Sequence, residues 1–143
     1  MLAASHAIAG AIIAKSVSSP EIGYGLAFLS HPLLDLFPHW DLHTRSSTRK
    51  PLTIIWTSLL DASIGFGLGF LLFGSLVETK ILLFTMFIAQ LPDWLESPYS
   101  VLGWKFPPFS TVKKIQHYIH SKMDFPWGIV PQLALFALAI YLA

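Results

Sequence analysis

Long apolar stretches separated by short polar turns dominate the pattern of side chains along this chain. A transmembrane helix needs about 20 mostly apolar residues. Five stretches approach or exceed that length, namely residues 2–18, 20–40, 51–76, 79–95 and 126–143. Ser18, Ser19 and Pro20 would turn the first two stretches into a tight hairpin. The pattern therefore predicts an all-α fold, a multi-pass bundle of about five transmembrane helices that forms one integral membrane domain over residues 1–143.

The one long connection between these stretches, residues 96–125, contains a segment with helical periodicity. At about 100° per residue, a helix over residues 110–123 places its apolar side chains on one side. The other side carries Lys113, Lys114, His117 and His120. This pattern predicts an amphipathic helix at the membrane interface, with Ser110 as its N-cap. The basic side either binds anionic lipid or a substrate phosphate, or is simply solvated. The two histidines alternatively fold back as metal ligands.

Composition supports a membrane protein. The chain is 54% hydrophobic and 12% charged, with a mean hydropathy of +0.61, whereas soluble domains carry about 25% charged residues. These values exclude an ordinary soluble globule, a disordered chain and a free nucleic-acid-binding protein. The absence of cysteine excludes disulfides and thiolate metal sites. The first residues lack the basic region of a secretory signal peptide, and His6 interrupts the apolar run.

The positions of the basic residues predict an orientation. Seven of the nine lysines and arginines lie in the connections 42–50 and 96–125: Arg45, Arg49, Lys50, Lys105, Lys113, Lys114 and Lys122. Lysine and arginine concentrate in cytoplasmic loops, and tryptophan concentrates at membrane interfaces. All five tryptophans fall at the same end of the predicted bundle: Trp40, Trp56, Trp94, Trp104 and Trp127. We therefore expect a protein of the cell (inner) membrane, with a cytoplasmic N-terminus and the C-terminus outside.

Ionisable residues inside the predicted helices converge on that cytoplasmic end. They are His6, His31, Asp35, Asp61 and Asp93. Counting about 1.5 Å of rise per residue puts them roughly 8–15 Å below the inner boundary. A single intramembrane histidine is commonly explained by a hydrogen bond to a neighbouring helix. Several ionisable groups at two adjacent depths repel one another or remain costly to bury unless something binds them, and such residues usually mark functional sites.

The ligand types favour a transition metal. His31 and Asp35 are spaced i,i+4 and share one helix face. His39 continues this row and is a candidate ligand, although it and Asp41 lie at the water boundary, where either could be solvated. His43 is expected to be solvated. Imidazole and carboxylate together suit zinc, with manganese or iron as alternatives, in an open site for one or two ions.

Three blocks of sequence also resemble a known family. They are His6-x-x-x-Gly10, the segment Ser30-His31-Pro32-Leu33-Leu34-Asp35, and Leu91-Pro92-Asp93. The chain is similar in these blocks to the small bacterial and archaeal membrane-bound metal-dependent hydrolases. The resemblance implies a multi-pass membrane enzyme and assigns functional roles to His6, His31, Asp35 and Asp93.

Three functions are compatible with these residues. The first is a metal-dependent hydrolase acting on a lipid-linked phosphate or ester at the cytoplasmic face, with membrane lipid as its partner and a homodimer as a plausible assembly. Water activated by the metal would attack, Asp61 or Asp93 would serve as base or further ligand, and Lys113 or Lys114 would neutralise phosphate. The second is a non-enzymatic membrane subunit that ligates a tetrapyrrole, which Asp35 disfavours. The third is a small metal or ion carrier.

Overall fold

The computed structural model describes residues 1–42 and 49–142. These residues form six α-helices and contain no β-strand. The helices are α1 (Ala3–Ser16), α2 (Pro20–Asp35), α3 (Pro51–Phe73), α4 (Thr79–Leu102), α5 (Phe109–Ile119) and α6 (Ile129–Leu142). The all-α prediction is therefore confirmed. His43 and Arg45, which the sequence places in a polar connection, lie outside the described residues.

Helix α2 ends at Asp35, whereas the apolar pattern predicts a helix to residue 40. Pro38 cannot donate a hydrogen bond to continue the helix, and the following backbone pairs with a distant segment. The amide of His39 donates to the Ser121 carbonyl at 3.1 Å, and the amide of Met123 donates to the His39 carbonyl at 2.8 Å. This pairing turns the chain out of α2 and sets the positions of the side chains that follow.

Helix α4 is longer than predicted, and α5 is shorter. α4 continues through Pro92 and Pro98 and ends at Gly103, whose φ of 72° is readily available to glycine. The prediction that a connection begins at residue 96 is therefore wrong, because residues 96–102 form about two further turns of α4. α5 begins at Phe109 without a side-chain cap, so Ser110 is not its N-cap.

Only one described helix, α3, is long and apolar enough to span a membrane. α1, α2 and α6 contain 14, 16 and 14 residues, fewer than the roughly 20 residues that cross a typical hydrocarbon core. The most apolar window of α3 is only 17% buried, whereas the core helix of a soluble protein would be mostly buried. The exterior of α3 is thus an exposed apolar surface.

Helix α1 lies at the centre of the described structure and contacts α2, α3, α4 and α6. Small side chains allow this close packing, since Ala7 and Ala11 are fully buried. Gly65 of α3 lies against Ala4, and Gly10 of α1 lies against the backbone of α4. This packing fixes α1, and with it His6, against the neighbouring helices.

We expect Gly10→Ala to destabilise the protein. A Cβ at Gly10 would lie 2.8 Å from both the Met86 Cα and the Thr85 carbonyl oxygen, and overpacking of this kind costs about 1–3 kcal/mol. Gly67→Ala is the matched control, because a Cβ there meets nothing within 4 Å and alanine favours a helix over glycine. Denaturant unfolding in detergent, followed by circular dichroism, measures both variants. Equal losses of stability would contradict the close approach of α1 and α4.

Candidate metal centre

Three helices and one pair of backbone segments bring six ionisable side chains together. α1 supplies His6, α2 supplies His31 and Asp35, α4 supplies Asp93, and the backbone pairing after α2 and α5 supplies His39 and His120. We call these six residues the histidine–aspartate cluster. Within the described residues, two groups could each hold a metal ion: one contains His6, His31 and Asp93, and the other contains Asp35, His39 and His120.

Asp35 is the centre of the cluster. Its carboxylate is fully buried, and four imidazoles approach it. The distances from Asp35 Oδ1 are 3.4 Å to His6 Nε2 and 3.8 Å to His39 Nε2. The distances from Oδ2 are 3.5 Å to His31 Nε2 and 3.4 Å to His120 Nδ1. Each of the two carboxylate oxygens of Asp35 therefore faces one histidine of each metal-holding group.

These distances fit metal ligands better than hydrogen bonds. Hydrogen bonds between nitrogen and oxygen usually measure about 2.7–3.2 Å. Two ligands about 2.1 Å from a tetrahedral ion lie about 3.4 Å from each other. The His31 Nε2 to Asp93 Oδ1 distance of 3.6 Å belongs to the same range. The distances around Asp35 and His31 therefore match a coordination sphere, whereas the Nε2 atoms of His39 and His120 lie at hydrogen-bond distance and the N-terminal ammonium of Met1 contacts Asp35 Oδ1.

His6 has no hydrogen-bond partner among the described residues. Its imidazole is fully buried and stacks on His31 with ring centroids 3.8 Å apart. Neither of its nitrogens makes a hydrogen bond, and Asp35 Oδ2 is likewise without one. Buried polar atoms are nearly always satisfied, so these orphaned atoms are the ones that a bound cation would satisfy.

Backbone carbonyls orient two of the histidines. The Nδ1 atom of His31 donates to the Ala89 carbonyl at 2.8 Å, and Nδ1 of His39 donates to the Phe37 carbonyl at 2.6 Å. With the proton on Nδ1, the lone pair of Nε2 points at the cluster. Metal-binding histidines are typically held in this way by a second hydrogen bond.

The His39 side chain lies beyond the end of α2, in a buried position that suits a neutral ligand. Burial lowers the pKa of His39 to about 4, so its ring is neutral at pH 7, the form that binds metals. His120 lies beside it, with 2.7 Å between their Nε2 atoms. This interaction and the contact with Asp35 place His120 in the cluster rather than on the basic side of the amphipathic helix.

Asp41 is a buried neighbour of the cluster that the sequence left undecided. Its Oδ2 lies 3.4 Å from His120 Nε2 and 3.0 Å from Lys122 Nζ. Burial alone would raise the pKa of Asp41, but the hydrogen bonds from His120 and Lys122 outweigh it and hold that pKa below its usual range. Asp41 therefore stays ionised and supports His120 from outside the cluster.

The structure places Asp61 apart from the six cluster residues. Its carboxylate accepts hydrogen bonds from the amides of Ala3 and Ala4, at 2.6 and 3.3 Å. These are unpaired amides of the first turn of α1, where a negative charge is favourable. Asp61 thus caps the helix that carries His6.

Of the four residues predicted to bind phosphate, one lies in the cluster. Lys114 and His117 are exposed on α5. Lys113 makes a 2.8 Å ion pair with Glu96, which also accepts a hydrogen bond from Ser100. This ion pair joins α5 to α4, whereas His120 enters the cluster at the C-terminal end of α5.

Two glutamines complete the surroundings of the cluster, and the sequence analysis missed both. Gln116 is buried and lies 3.3 Å from His31 Nε2 and 3.3 Å from Asp93 Oδ1. Gln116 precedes His120 by four residues, about one helical turn, and this spacing could have indicated that both side chains lie on the same side of the segment. Gln132 donates to the carbonyls of Trp40 and Gly128, both at 2.9 Å, and joins α6 to the paired segment. No periodic pattern in the sequence indicates that Gln132 contacts the segment after α2.

A cavity of about 180 Å³ lies between α3 and α4, beside the cluster. Asp61 and Asp93 line it, together with apolar side chains such as Ile55 and Leu59. Asp93 is 27% exposed, and it faces both the cavity and His31. A substrate in the cavity would therefore reach the cluster through Asp93.

Comparisons of the chain with protein-family models, with curated proteins and with solved structures found no match.

Proposed function

We propose that the chain is a membrane-embedded, metal-dependent hydrolase that acts on a lipid-linked phosphate or ester at the cytoplasmic face. The observation that carries this proposal is the spacing of about 3.4–3.8 Å between Asp35 and its four imidazoles. Imidazole nitrogens and carboxylate oxygens at this spacing would hold one or two divalent metal ions. The resemblance to membrane-bound metal-dependent hydrolases in the blocks around His6, His31 and Asp93 supports the same reading.

Zinc is the first candidate ion, with manganese and iron as alternatives, because the donors are imidazoles and carboxylates. When bound, such an ion supplies Lewis-acid activation of water and of a phosphoryl or carbonyl oxygen. The chain would contribute the holding groups: His6, His31 and Asp93 for one ion, and Asp35, His39 and His120 for the other.

Asp93 has a second role in this proposal. It is the cluster member that lines the cavity, so it is placed to hold an ion or to accept a proton from the attacking water. Gln116 keeps this carboxylate oriented through its 3.3 Å hydrogen bond. Asp61 acts as a positioning residue, because it fixes the first turn of α1.

A membrane location is supported by the exposed apolar surface. Leu71 of α3 is 79% exposed, and Leu133 of α6 is 65% exposed. Large exposed apolar patches mark interaction sites or contact with lipid. We propose a multi-pass arrangement in which the shorter helices are accommodated by local thinning of the bilayer.

The proposed orientation predicts a labelling pattern. The chain has no cysteine, so single cysteines can be introduced without background. Lys105→Cys should react with a membrane-impermeant thiol reagent only after the cells are permeabilised. Lys80→Cys should react in intact cells. Both lysines are exposed, and the reverse pattern would place the metal centre on the outer side.

Hydrolysis is tested with the protein reconstituted in vesicles that contain phospholipids or polyprenyl phosphates. We expect release of phosphate or of a lipid fragment that stops with a chelator and returns with zinc. Asp35→Asn should lower the rate by about a thousandfold, the scale of losing a group that positions catalytic ions. Glu78→Gln, at an exposed turn, is the control. Metal flux across the vesicles without any hydrolysis would favour a carrier instead.

A further inference from the structure

The cavity between α3 and α4, which we call the α3–α4 cavity, runs along both helices to the histidine–aspartate cluster. Ile54, in the first turn of α3, and Val101, in the last turn of α4, line one end of it. Asp93 also lines it, is 27% exposed and lies 3.6 Å from His31 Nε2. At about 1.5 Å of rise per residue, Val101 is about 12 Å from Asp93 along α4. The cavity therefore extends from the helix ends, which lie at the interface in the proposed membrane arrangement, to the cluster.

A row of polar side chains runs along the α4 wall of this cavity. Its members share one helix face and are spaced by three or four residues: Gln90, Asp93, Ser97 and Ser100. The Ser97 hydroxyl donates to the Trp94 carbonyl at 2.9 Å, and the Ser100 hydroxyl donates to Glu96 at 3.2 Å. Each hydroxyl oxygen can still accept a hydrogen bond, because it has two lone pairs. The row therefore offers hydrogen-bonding positions from the end of α4 to the cluster.

Gln90, at the far end of the row from Val101, has an unsatisfied donor. The Gln90 side chain is 1% exposed and lines the cavity, and its Nε2 atom has no hydrogen-bond partner among the described residues. The buried Nε1 atom of Trp94, another lining residue, also lacks one there. Buried polar atoms that lack a protein partner are commonly satisfied by ordered water. A lining of amide, hydroxyl and carboxylate groups suits water, which both donates and accepts hydrogen bonds.

The charges of the lining side chains are of one sign. Within the described part of the chain, no lysine, arginine or histidine side chain lines the cavity. Four carboxylates do: Asp41, Asp61, Asp93 and Glu96. Lysines outside the lining pair with two of them, Lys122 with Asp41 at 3.0 Å and Lys113 with Glu96 at 2.8 Å.

Asp61 retains its negative charge toward the cavity. Its hydrogen-bond donors are the uncharged amides of Ala3 and Ala4. The N-terminal residue Met1 also lines the cavity, and its ammonium contacts Asp35. Clefts lined by charges of one sign concentrate the opposite ion, so the α3–α4 cavity should admit cations and exclude anions.

We propose that the α3–α4 cavity is a hydrated, cation-selective passage through which water and divalent metal ions reach the cluster from the membrane interface. This inference rests on the metal centre and the membrane location of the proposed function, and it names the route of the water that hydrolysis consumes. Polar and charged side chains at membrane depth are tolerated where they face protein or a water-filled cavity. The cavity volume of about 180 Å³ holds about six water molecules at roughly 30 Å³ each.

Thiol labelling of protein in nanodiscs, where both membrane faces are accessible, tests whether the cavity is hydrated. The chain has no cysteine, so Ser97→Cys and Ser58→Cys each place a single thiol in the lining. Thiols react as thiolates, which form in water and not in hydrocarbon. We expect both variants to react with a methanethiosulfonate that carries a trimethylammonium group. Leu60→Cys should not react, because Leu60 is 63% exposed on the apolar exterior of α3, although only two positions separate it from Ser58. A Ser58→Cys protein with native metal content that is as unreactive as Leu60→Cys would overturn the proposal.

A second reagent of the same kind, carrying a sulfonate, tests the selectivity for cations. The ratio of the cationic to the anionic labelling rate should be at least tenfold higher at Ser58→Cys than at Ser75→Cys, which lies in the exposed turn after α3. Adding Asp61→Asn to Ser58→Cys should lower this ratio. Equal ratios at the two positions would contradict a cation-selective passage.

The rate of zinc loading tests the passage without any introduced thiol. In Ser97→Trp the indole would fill the cavity, so uptake of zinc by chelator-stripped protein should slow at least tenfold while the final zinc content stays native. Leu60→Trp, on the exterior, should load at the native rate. Native-rate loading of a folded Ser97→Trp protein would also contradict the proposal. Reactive thiols in the cavity without lipid hydrolysis would overturn the hydrolase function and leave the passage standing. Metal-dependent hydrolysis with unreactive cavity thiols would do the reverse.

Discussion

Replacement of Asp35 by alanine is expected to reduce the metal content of the purified protein from about two ions per chain to nearly none. Asp35 is the only cluster member that approaches four imidazoles, at 3.4–3.8 Å. Its loss removes a ligand from one group and removes the negative charge that faces the histidines of both groups. The measurement is elemental analysis of protein purified in detergent after removal of loosely bound metal.

Two histidines at the C-terminal end of α5 provide the control for this experiment. His120→Ala should remove about one ion, because His120 lies in the group with Asp35 and His39. His117→Ala should remove none, because His117 is exposed, although it lies only three positions before His120. Equal metal content in the Asp35, His120 and His117 variants would show that the cluster is held by hydrogen bonds between helices.

The second large effect is on stability. Without a cation, the buried nitrogens of His6 lack hydrogen bonds, and unpaired buried polar groups are costly. Binding of zinc at about a thousand times its dissociation constant contributes about 4 kcal/mol. At about 2–4 °C per kcal/mol for a protein of this size, the midpoint of thermal unfolding should rise by about 10 °C.

Thermal unfolding of protein stripped by a chelator and then reloaded with zinc measures this shift. The Asp35→Ala variant should show little or no shift, because its ligand set is incomplete. Magnesium should also have little effect on the native chain, since it prefers oxygen ligands and this site is rich in imidazole. An equal rise with magnesium or with the Asp35→Ala variant would assign the stabilisation to a different site.

Much of the cluster could be predicted from local sequence. The i,i+4 spacing of His31 and Asp35 places both on one helix face, and the structure has them on the last two turns of α2. His6 and Asp93 were predicted at the same depth because every helix rises by the same amount per residue. The structure brings these four residues together.

The remaining ligands depend on contacts between distant parts of the chain. Nothing local indicates that the backbone near His39 pairs with residues near Ser121, yet this pairing ends α2 and places His39 beside His120. Asp61 was predicted at a similar depth to His31 and caps α1 instead. Depth along a helix gives the height of a side chain, but the packing of the helices decides the direction in which it points.

X-ray absorption at the zinc edge tests the metal centre most directly, because it reports the atoms around the ion itself. The protein is loaded with zinc and washed free of excess metal before measurement. We predict a first shell of nitrogen and oxygen at about 2.0–2.1 Å, together with the outer-shell scattering that imidazole rings produce, and no sulfur. A shell of oxygen atoms alone, without imidazole scattering, would contradict a metal centre built from His6, His31, His39 and His120.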